Sequence, residues 1–209
     1  MKSEGLFDRI SPVYGLFYET QRKKYREIIQ KAQPVFDLAA CSSVLDIGCG
    51  TGALCSVMDE MGLKVTGVDA AEKMLEIAKR RDAGGRIHYM IGDVLEGLPF
   101  ADHSFDVVIT SYVAHGLQEE ERKTLYREMG RLAKTMVIVY DYNKNRAPLT
   151  NFIEWLEGGD YFRFIHVAEE ELRGCVHALE TCFQHVQVLD VDKRAAWYLC
   201  QVPDPLAGT

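Results

Sequence analysis

No Cys-x-x-Cys pair occurs among the six cysteines, and none of the six histidines has the paired spacing of a metal-ligand set. Cys41, Cys49, Cys55, Cys175, Cys182 and Cys200 lie inside apolar patterns, which reads as reduced core thiols in a cytosolic chain. His88, His103, His115, His166, His177 and His185 are scattered, so no metal site is expected. No apolar run approaches the ~18 residues that cross a bilayer, and Met1-Lys2-Ser3-Glu4-Gly5 lacks the apolar core of a secretion signal. The expectation is a cytoplasmic protein without a membrane span. Basic clusters are confined to Arg22-Lys23-Lys24 and Lys79-Arg80-Arg81, both solvated helix faces, in a chain of formal net charge −7. That balance disfavours neutralisation of a phosphate backbone, so no nucleic-acid partner is expected. Repeats, low-complexity tracts and interdomain linkers are absent as well.

What is present is an ordinary globular composition, 47% hydrophobic and 26% charged over 209 residues, enough for one sizeable domain. It is organised around Val44-Leu45-Asp46-Ile47-Gly48-Cys49-Gly50-Thr51-Gly52. Two aliphatic residues run into a carboxylate, three glycines follow at alternate positions, and an apolar periodic segment begins at Ala53. This is a strand, a tight turn and a helix start, and glycine allows the backbone angles such a reversal needs. The helix N-terminus presents unpaired N–H groups and a partial positive charge, to which an anionic group can bind. Asp46 stands out, because an ionised side chain at the end of a buried strand is costly unless paired. It reads as a ligand contact or as a turn anchor.

Around this stretch the periodicities alternate. An amphipathic helix runs from about Thr20 to Leu38, with Tyr25, Ile28, Ile29, Ala32 and Phe36 on one stripe. After the turn, Leu54, Val57, Met58 and Met61 mark a helix closed by Gly62. Strands are expected at Lys64 to Asp69, Ile87 to Ile91, Phe105 to Thr110 and Met136 to Tyr140. Helices are expected through Met74, Leu75 and Ala78 and over Glu119 to Ala133. The alternation across residues 44 to 141 predicts a parallel, doubly wound sheet, whose ligand crevice opens at the carboxyl ends of the strands. Two late strands, about Phe183 to Val191 and Ala195 to Val202, are joined by Asp192-Lys193-Arg194, short enough for a hairpin and an antiparallel end to the sheet. Two segments flank this frame. Residues 1 to 19 form either a packing helix or a lid that supplies Tyr14 or Tyr18 to a pocket. Residues 142 to 166, with Phe152, Trp155, Tyr161, Phe162 and Phe164, form either a satellite hydrophobic cluster or a cap over a substrate pocket.

The glycine turn alone leaves two ligands open. Gly48-Cys49-Gly50-Thr51-Gly52-Ala53 satisfies the dinucleotide fingerprint, with Asp69 about 20 residues on. Against a dinucleotide, Asp46 would repel a pyrophosphate yet suit the ammonium of an amino-acid-like ligand. Asp93 could accept from an adenine amino group, and no separate substrate domain follows. Taken with Gly67-Val68-Asp69, Gly92-Asp93, Leu98-Pro99-Phe100 and Ser104-Phe105-Asp106-Val107-Val108, the stretch resembles the ordered motif set of class I S-adenosylmethionine-dependent methyltransferases. The match is strong over residues 40 to 141.

That resemblance implies a single domain, 1–209, with a Rossmann-like sheet of seven mostly parallel strands, an antiparallel C-terminal strand, an N-terminal helical lid over residues 1–40 and a substrate cap at 142–166. It also implies the cofactor S-adenosyl-L-methionine. The glycine turn at Gly48 and Gly50 would pass beneath the methionine moiety, with Asp46 reaching its amino group through water. Asp69 would accept the ribose hydroxyls, or serve only as a helix N-cap. Asp93 would meet the adenine amino group, Val94 would offer its N–H to the ring, and the backbone at Thr110-Ser111 would close over the methionine end. Tyr14 could cover the cofactor. Two positions depart from the pattern: Ala70 replaces a larger apolar residue under the adenine, and Cys182 replaces a glycine. The implied activity is methyl transfer to a small-molecule acceptor by in-line displacement. An NAD(P)-dependent oxidoreductase and a non-catalytic S-adenosylmethionine-binding protein are the alternatives. For an acidic acceptor a general base would help. His115 is the candidate, with a loop-fixing hydrogen bond as the competing reading, and Asp141 and Tyr142 rank second. Neither the acceptor nor the oligomeric state is written in the sequence.

Overall fold

The computed structural model describes residues 17–143, 161–177 and 183–203. The described residues form seven strands. The chain divides into two compact units, Met1–Asp93 and Val94–Thr209.

In the first unit, helix α1 (Tyr18–Ala32) precedes β1 (Ser43–Ile47), α2 (Ala53–Glu60), β2 (Lys64–Asp69), α3 (Glu72–Arg81) and β3 (His88–Ile91). The strands pair in parallel, with Asp46 opposite Gly67 and Gly67 opposite Tyr89. Val44, Leu45, Asp46 and Ile47 are all buried, as expected of a strand covered on both faces. Helix α1 buries Ile28, Ile29 and Ala32 but stops six residues short of the expected Leu38. Proline at position 34 has no N–H to continue the ladder and restricts the residue before it. Leu38 instead opens a short turn, Leu38–Ala40, in which the Ala39 N–H donates to Asp37 Oδ1 at 3.2 Å. Helix α3 carries Glu72 in its first turn and Lys79, Arg80 and Arg81 in its last, matching the helix dipole.

The second unit contains β4 (Phe105–Ser111), α4 (Glu119–Leu132), β5 (Ala133–Tyr142), α5 (Tyr161–His177), β6 (His185–Asp190) and β7 (Ala195–Gln201). β4 and β5 are parallel, while β7 runs antiparallel to both β5 and β6. The expected antiparallel hairpin is present. Glu119, Glu120 and Glu121 start α4, and Glu121 accepts the Gln118 backbone N–H at 2.8 Å, one half of a capping box. The helix passes into β5 without a loop, so this strand starts three residues earlier than the apolar run suggested. Helix α5 starts at Tyr161 and buries Phe164, Ile165, Ala168 and Leu172 on one stripe. Phe164 thus packs on the buried stripe of a helix; residues 144–160 of the proposed cap, and residues 1–16 with Tyr14, lie outside the described residues. Among the described residues, no helix is long and apolar enough to cross a membrane.

A buried ion pair joins α4 to α5. Arg122, fully buried, donates from Nε and Nη2 to the two carboxylate oxygens of Glu171 at 2.7 and 2.6 Å, and from Nη1 to the Leu117 carbonyl at 2.6 Å. Removing one partner of such a pair strands a charge away from water. Glu171→Ala is therefore expected to cost about 3–5 kcal/mol of unfolding free energy, read as a lowered urea midpoint. A loss under about 1 kcal/mol, as for exposed pairs, would show that Arg122 is not desolvated.

Candidate active site

In the first unit the turn after β1 is held from below by strand β2. The N–H groups of Gly48 and Cys49 both donate to the Val68 carbonyl, at 2.8 and 3.0 Å. Gly48, Gly50 and Gly52 all have positive φ, +73°, +54° and +77°, which side chains rarely adopt. At Gly52 space is also denied: an added Cβ would lie 2.3 Å from the Tyr89 hydroxyl. Gly50 is the opposite case, with nothing within 4 Å of where a Cβ would stand, so the turn has an open side there.

Two carboxylates flank this turn in different states. Asp69 Oδ2 accepts the Gly50 N–H at 2.7 Å and its Oδ1 accepts the Ala71 N–H at 2.8 Å. It anchors the glycine turn and the approach to α3, whose N-cap position is Ala71 itself. Burial nevertheless holds its carboxyl above the usual range, against the lowering effect of those two N–H groups. A carboxylate offers about four acceptor positions, so both backbone bonds leave capacity for ligand hydroxyls. Asp46 is 1% exposed; among the described residues Oδ2 accepts from the Cys55 thiol, at 3.2 Å, and Oδ1 is buried with no hydrogen-bond partner. Burial pushes its carboxyl up to about 7, the thiol bond opposes this, and the charge of Asp69 adds to it. An unsatisfied carboxylate oxygen beside a glycine-built turn fits a cationic donor such as an ammonium group.

In the second unit, His115 lies on a short turn, Ala114–Gly116, just beyond β4 and is 8% exposed. Its Nδ1 lies 2.8 Å from Asp141 Oδ1, and its backbone N–H donates to Asp141 Oδ2 at 3.2 Å. Asp141, fully buried at the end of β5, also accepts the Tyr142 N–H at 2.8 Å. The imidazole sits among aromatic rings, with centroids of Tyr142 at 4.9 Å, Tyr112 at 6.3 Å and Phe164 at 6.5 Å. Tyr112 has φ +56°, an outlier for a bulky residue that costs about 1–3 kcal/mol unless its surroundings hold it. They do: its N–H donates to the Tyr140 carbonyl at 2.9 Å and the two hydroxyls meet at 3.0 Å. Burial pushes the Tyr112 phenol up to about 12, so the Tyr112 hydroxyl is neutral.

These strand-end sites belong to a recognisable lineage. Residues 44–136 match the family model described as a methyltransferase domain. Over that stretch the chain is similar to methyltransferase domains. Its relatives include a demethylmenaquinone methyltransferase of Thermotoga maritima, 34% identical over 140 residues, covering 62% of this chain and 56% of the relative. One of the same name from Staphylococcus aureus is 30% identical over 76% of this chain and 63% of the relative. The chain thus spans a little over half the length of these curated relatives. Among solved structures, an O-methyltransferase from neocarzinostatin biosynthesis, in complex with S-adenosylmethionine and 2-hydroxy-5-methyl naphthoic acid, shares the fold at TM-score 0.73 and 19% identity, covering 96% of this chain and 60% of that one. Magnesium protoporphyrin IX methyltransferase from Synechocystis, with bound SAH, gives TM-score 0.60 at 15% identity, covering 87% of this chain and 83% of that one. Nothing in these comparisons favours the oxidoreductase alternative.

On this methyltransferase fold the expected residues fall into two sets. Asp46, Gly48, Gly50 and Asp69 surround one turn; Ala70, exposed, follows β2, and Asp93, half-buried, follows β3. His115, Asp141 and Tyr142 form the second set, in direct contact. In the second unit, Val94, buried, opens a short turn and Ser111 ends β4, half-buried. Among the described residues no group of His, Cys, Asp or Glu could hold a metal, and Cys41, Cys49, Cys55 and Cys200 are reduced. Sequence reasoning passed over Arg122, Tyr112 and Cys55. Arg122 was detectable, since it falls on the Leu125, Met129 and Leu132 stripe of α4, where a charge needs a partner. The left-handed backbone of Tyr112 has no sequence signal.

The Asp46 environment predicts a pH dependence. Its folded value near 7 exceeds the ordinary 3.8, so the native state keeps a proton that the unfolded chain has released. Stability contributed by this group therefore falls as pH rises from about 4 to about 7, at about 1.36 kcal/mol per unit, and levels off above. Asp46→Asn is expected to match the parent protein near pH 4 and to exceed it by a few kcal/mol near pH 8 in urea denaturation. The same difference at both pH values would show that Asp46 is not a buried, titrating carboxyl.

Proposed function

We propose that the protein transfers a methyl group from S-adenosylmethionine to a small-molecule acceptor, a quinone-like or other aromatic compound. The observation that carries this reading is the unpartnered Oδ1 of Asp46 beside the glycine turn. A buried acceptor oxygen there repels a pyrophosphate and suits the ammonium group of the cofactor's methionine moiety. Within the first unit, Asp46, Gly48 and Gly50 would hold that moiety, Asp69 the ribose hydroxyls, and Ala70 and Asp93 the adenine. When bound, S-adenosylmethionine supplies a methyl group made electrophilic by its sulfonium.

The chain's own contribution is binding, alignment and proton handling. Alignment of reactants can be worth about 7–11 kcal/mol, and excluding water from the reacting groups would prevent competing reactions. With Nδ1–H donating to Asp141, the basic atom of neutral His115 is Nε2. His115 Nε2 accepts the proton of an acidic acceptor hydroxyl, and the Asp141 carboxylate stabilises the imidazolium that results. The loop-fixing role is fulfilled at the same time by the His115 backbone N–H, so one aspartate orients both ring and loop. Support for an aromatic acceptor comes from the rings of Tyr112 and Tyr142 beside His115. It comes also from relatives named demethylmenaquinone methyltransferases and a fold neighbour solved with a naphthoic acid.

Thermal-shift and calorimetric titration should show binding of S-adenosylhomocysteine and none of NAD. A charge-assisted bond worth about 1.5–3 kcal/mol makes Asp46→Asn bind S-adenosylhomocysteine about 10- to 100-fold more weakly; unaltered affinity would refute the ammonium contact. His115→Ala should lower kcat about 100- to 10,000-fold in labelled-methyl transfer to a panel of quinols and naphthols, with S-adenosylhomocysteine affinity kept. Undiminished turnover would remove His115 as the base.

A further inference from the structure

We infer that Tyr112 is the specificity-determining residue for the acceptor, offering its ring as the face on which a flat aromatic acceptor stacks beside His115. The inference rests on the methyl-transfer reading and extends it to a residue outside the dyad.

Three observations in the second unit converge. First, Tyr112 takes up a left-handed backbone, φ +56°, where glycine or asparagine would sit without strain. A bulky residue kept in such a conformation is justified by what its side chain does. Second, the conformation is enforced from β5: the Tyr112 N–H donates to the Tyr140 carbonyl at 2.9 Å and its hydroxyl meets that of Tyr140 at 3.0 Å. Tyr140 is 1% exposed, so the far end of the Tyr112 ring is fixed to the core. Third, the ring is not itself core. Tyr112 is 37% exposed, one of four large hydrophobic residues among the described ones that are, while its neighbours His115 and Tyr140 are buried. Its edge-to-face contacts, at 4.8 Å to Tyr140 and 5.0 Å to Tyr142, hold the ring steady, and the centroid lies 6.3 Å from the imidazole. A rigid, partly exposed aromatic one ring-width from the proton acceptor is a stacking surface, and offset or edge-to-face packing selects planar partners. An acceptor lying on it would present a ring hydroxyl, the acidic O–H of a phenol or quinol, to His115.

The test uses naphthol as the probe, with calorimetric affinity and melting temperature measured in parallel. Tyr112→Gly should bind naphthol about tenfold more weakly while melting no lower than the parent protein, because the loss of strain compensates the lost contacts. Tyr112→Phe keeps the ring and should bind within about threefold of the parent protein. Should the glycine variant not fold, Tyr112→Asn replaces it, since asparagine also accepts this backbone. The proposal is overturned if the glycine or asparagine variant binds naphthol as the parent does. It is equally overturned if the phenylalanine variant loses as much as the glycine one, or if the parent protein does not bind naphthol. Binding of S-adenosylhomocysteine, measured on the same samples, separates that last failure from failure of the methyl-transfer reading.

Discussion

Taking carboxylates out of water at the ends of strands is the constraint on which the rest of this structure turns. Asp46, Asp69 and Asp141 each lie at or next to the carboxyl end of a buried strand, and each must find donors or remain protonated. Asp69 is supplied by two backbone N–H groups, which is what shapes the glycine turn. Asp141 is supplied by the His115 ring and backbone and by Tyr142, which is what shapes the loop after β4. Asp46 receives a single thiol, a weak donor, and its other oxygen is left wanting. Two of these acids therefore organise backbone, and the third keeps one oxygen without a partner among the described residues.

The frame was legible because its signals are local. Alternating periods placed β2 and β3 to within a residue, Gly62 closed α2, and the short Asp192-Lys193-Arg194 joint announced a hairpin. Departures arise where a local cue was outweighed or silent. Proline at position 34 ended α1 before its apolar stripe did. The entry to β5 was hidden because Ala133-Lys134-Thr135 lacks β-branched aliphatic residues, yet the strand begins there directly from α4. Phe164 reads in sequence as one of a cluster of aromatics, yet its spacing with Ala168 and Leu172 is that of a helix stripe.

The site divides in the same manner. Motif spacing identified Asp46, Asp69 and His115 individually, but which acid serves which donor is a matter of geometry. Asp141 was a neighbour of strand β5 in sequence and becomes the partner of a histidine 26 positions away. Asp69, expected to face a ligand or to cap a helix, serves first as a clasp between Gly50 and Ala71. Arg122 shows how the two scales meet: its guanidinium ties α5 to α4 and the Leu117 carbonyl to both, fixing the segment that carries His115.

The contact between Tyr89 and the glycine turn has an evolutionary corollary. An alanine at position 52 would put its methyl group 2.3 Å from the tyrosine hydroxyl, and one at position 67 would meet the same ring at 2.9 Å. Drift at any of these three sites is thus conditional on the others, and a descendant that shrinks position 89 gains freedom at 67 first. Position 52 stays bound by its own torsion even then, so it should be the last of the three to vary.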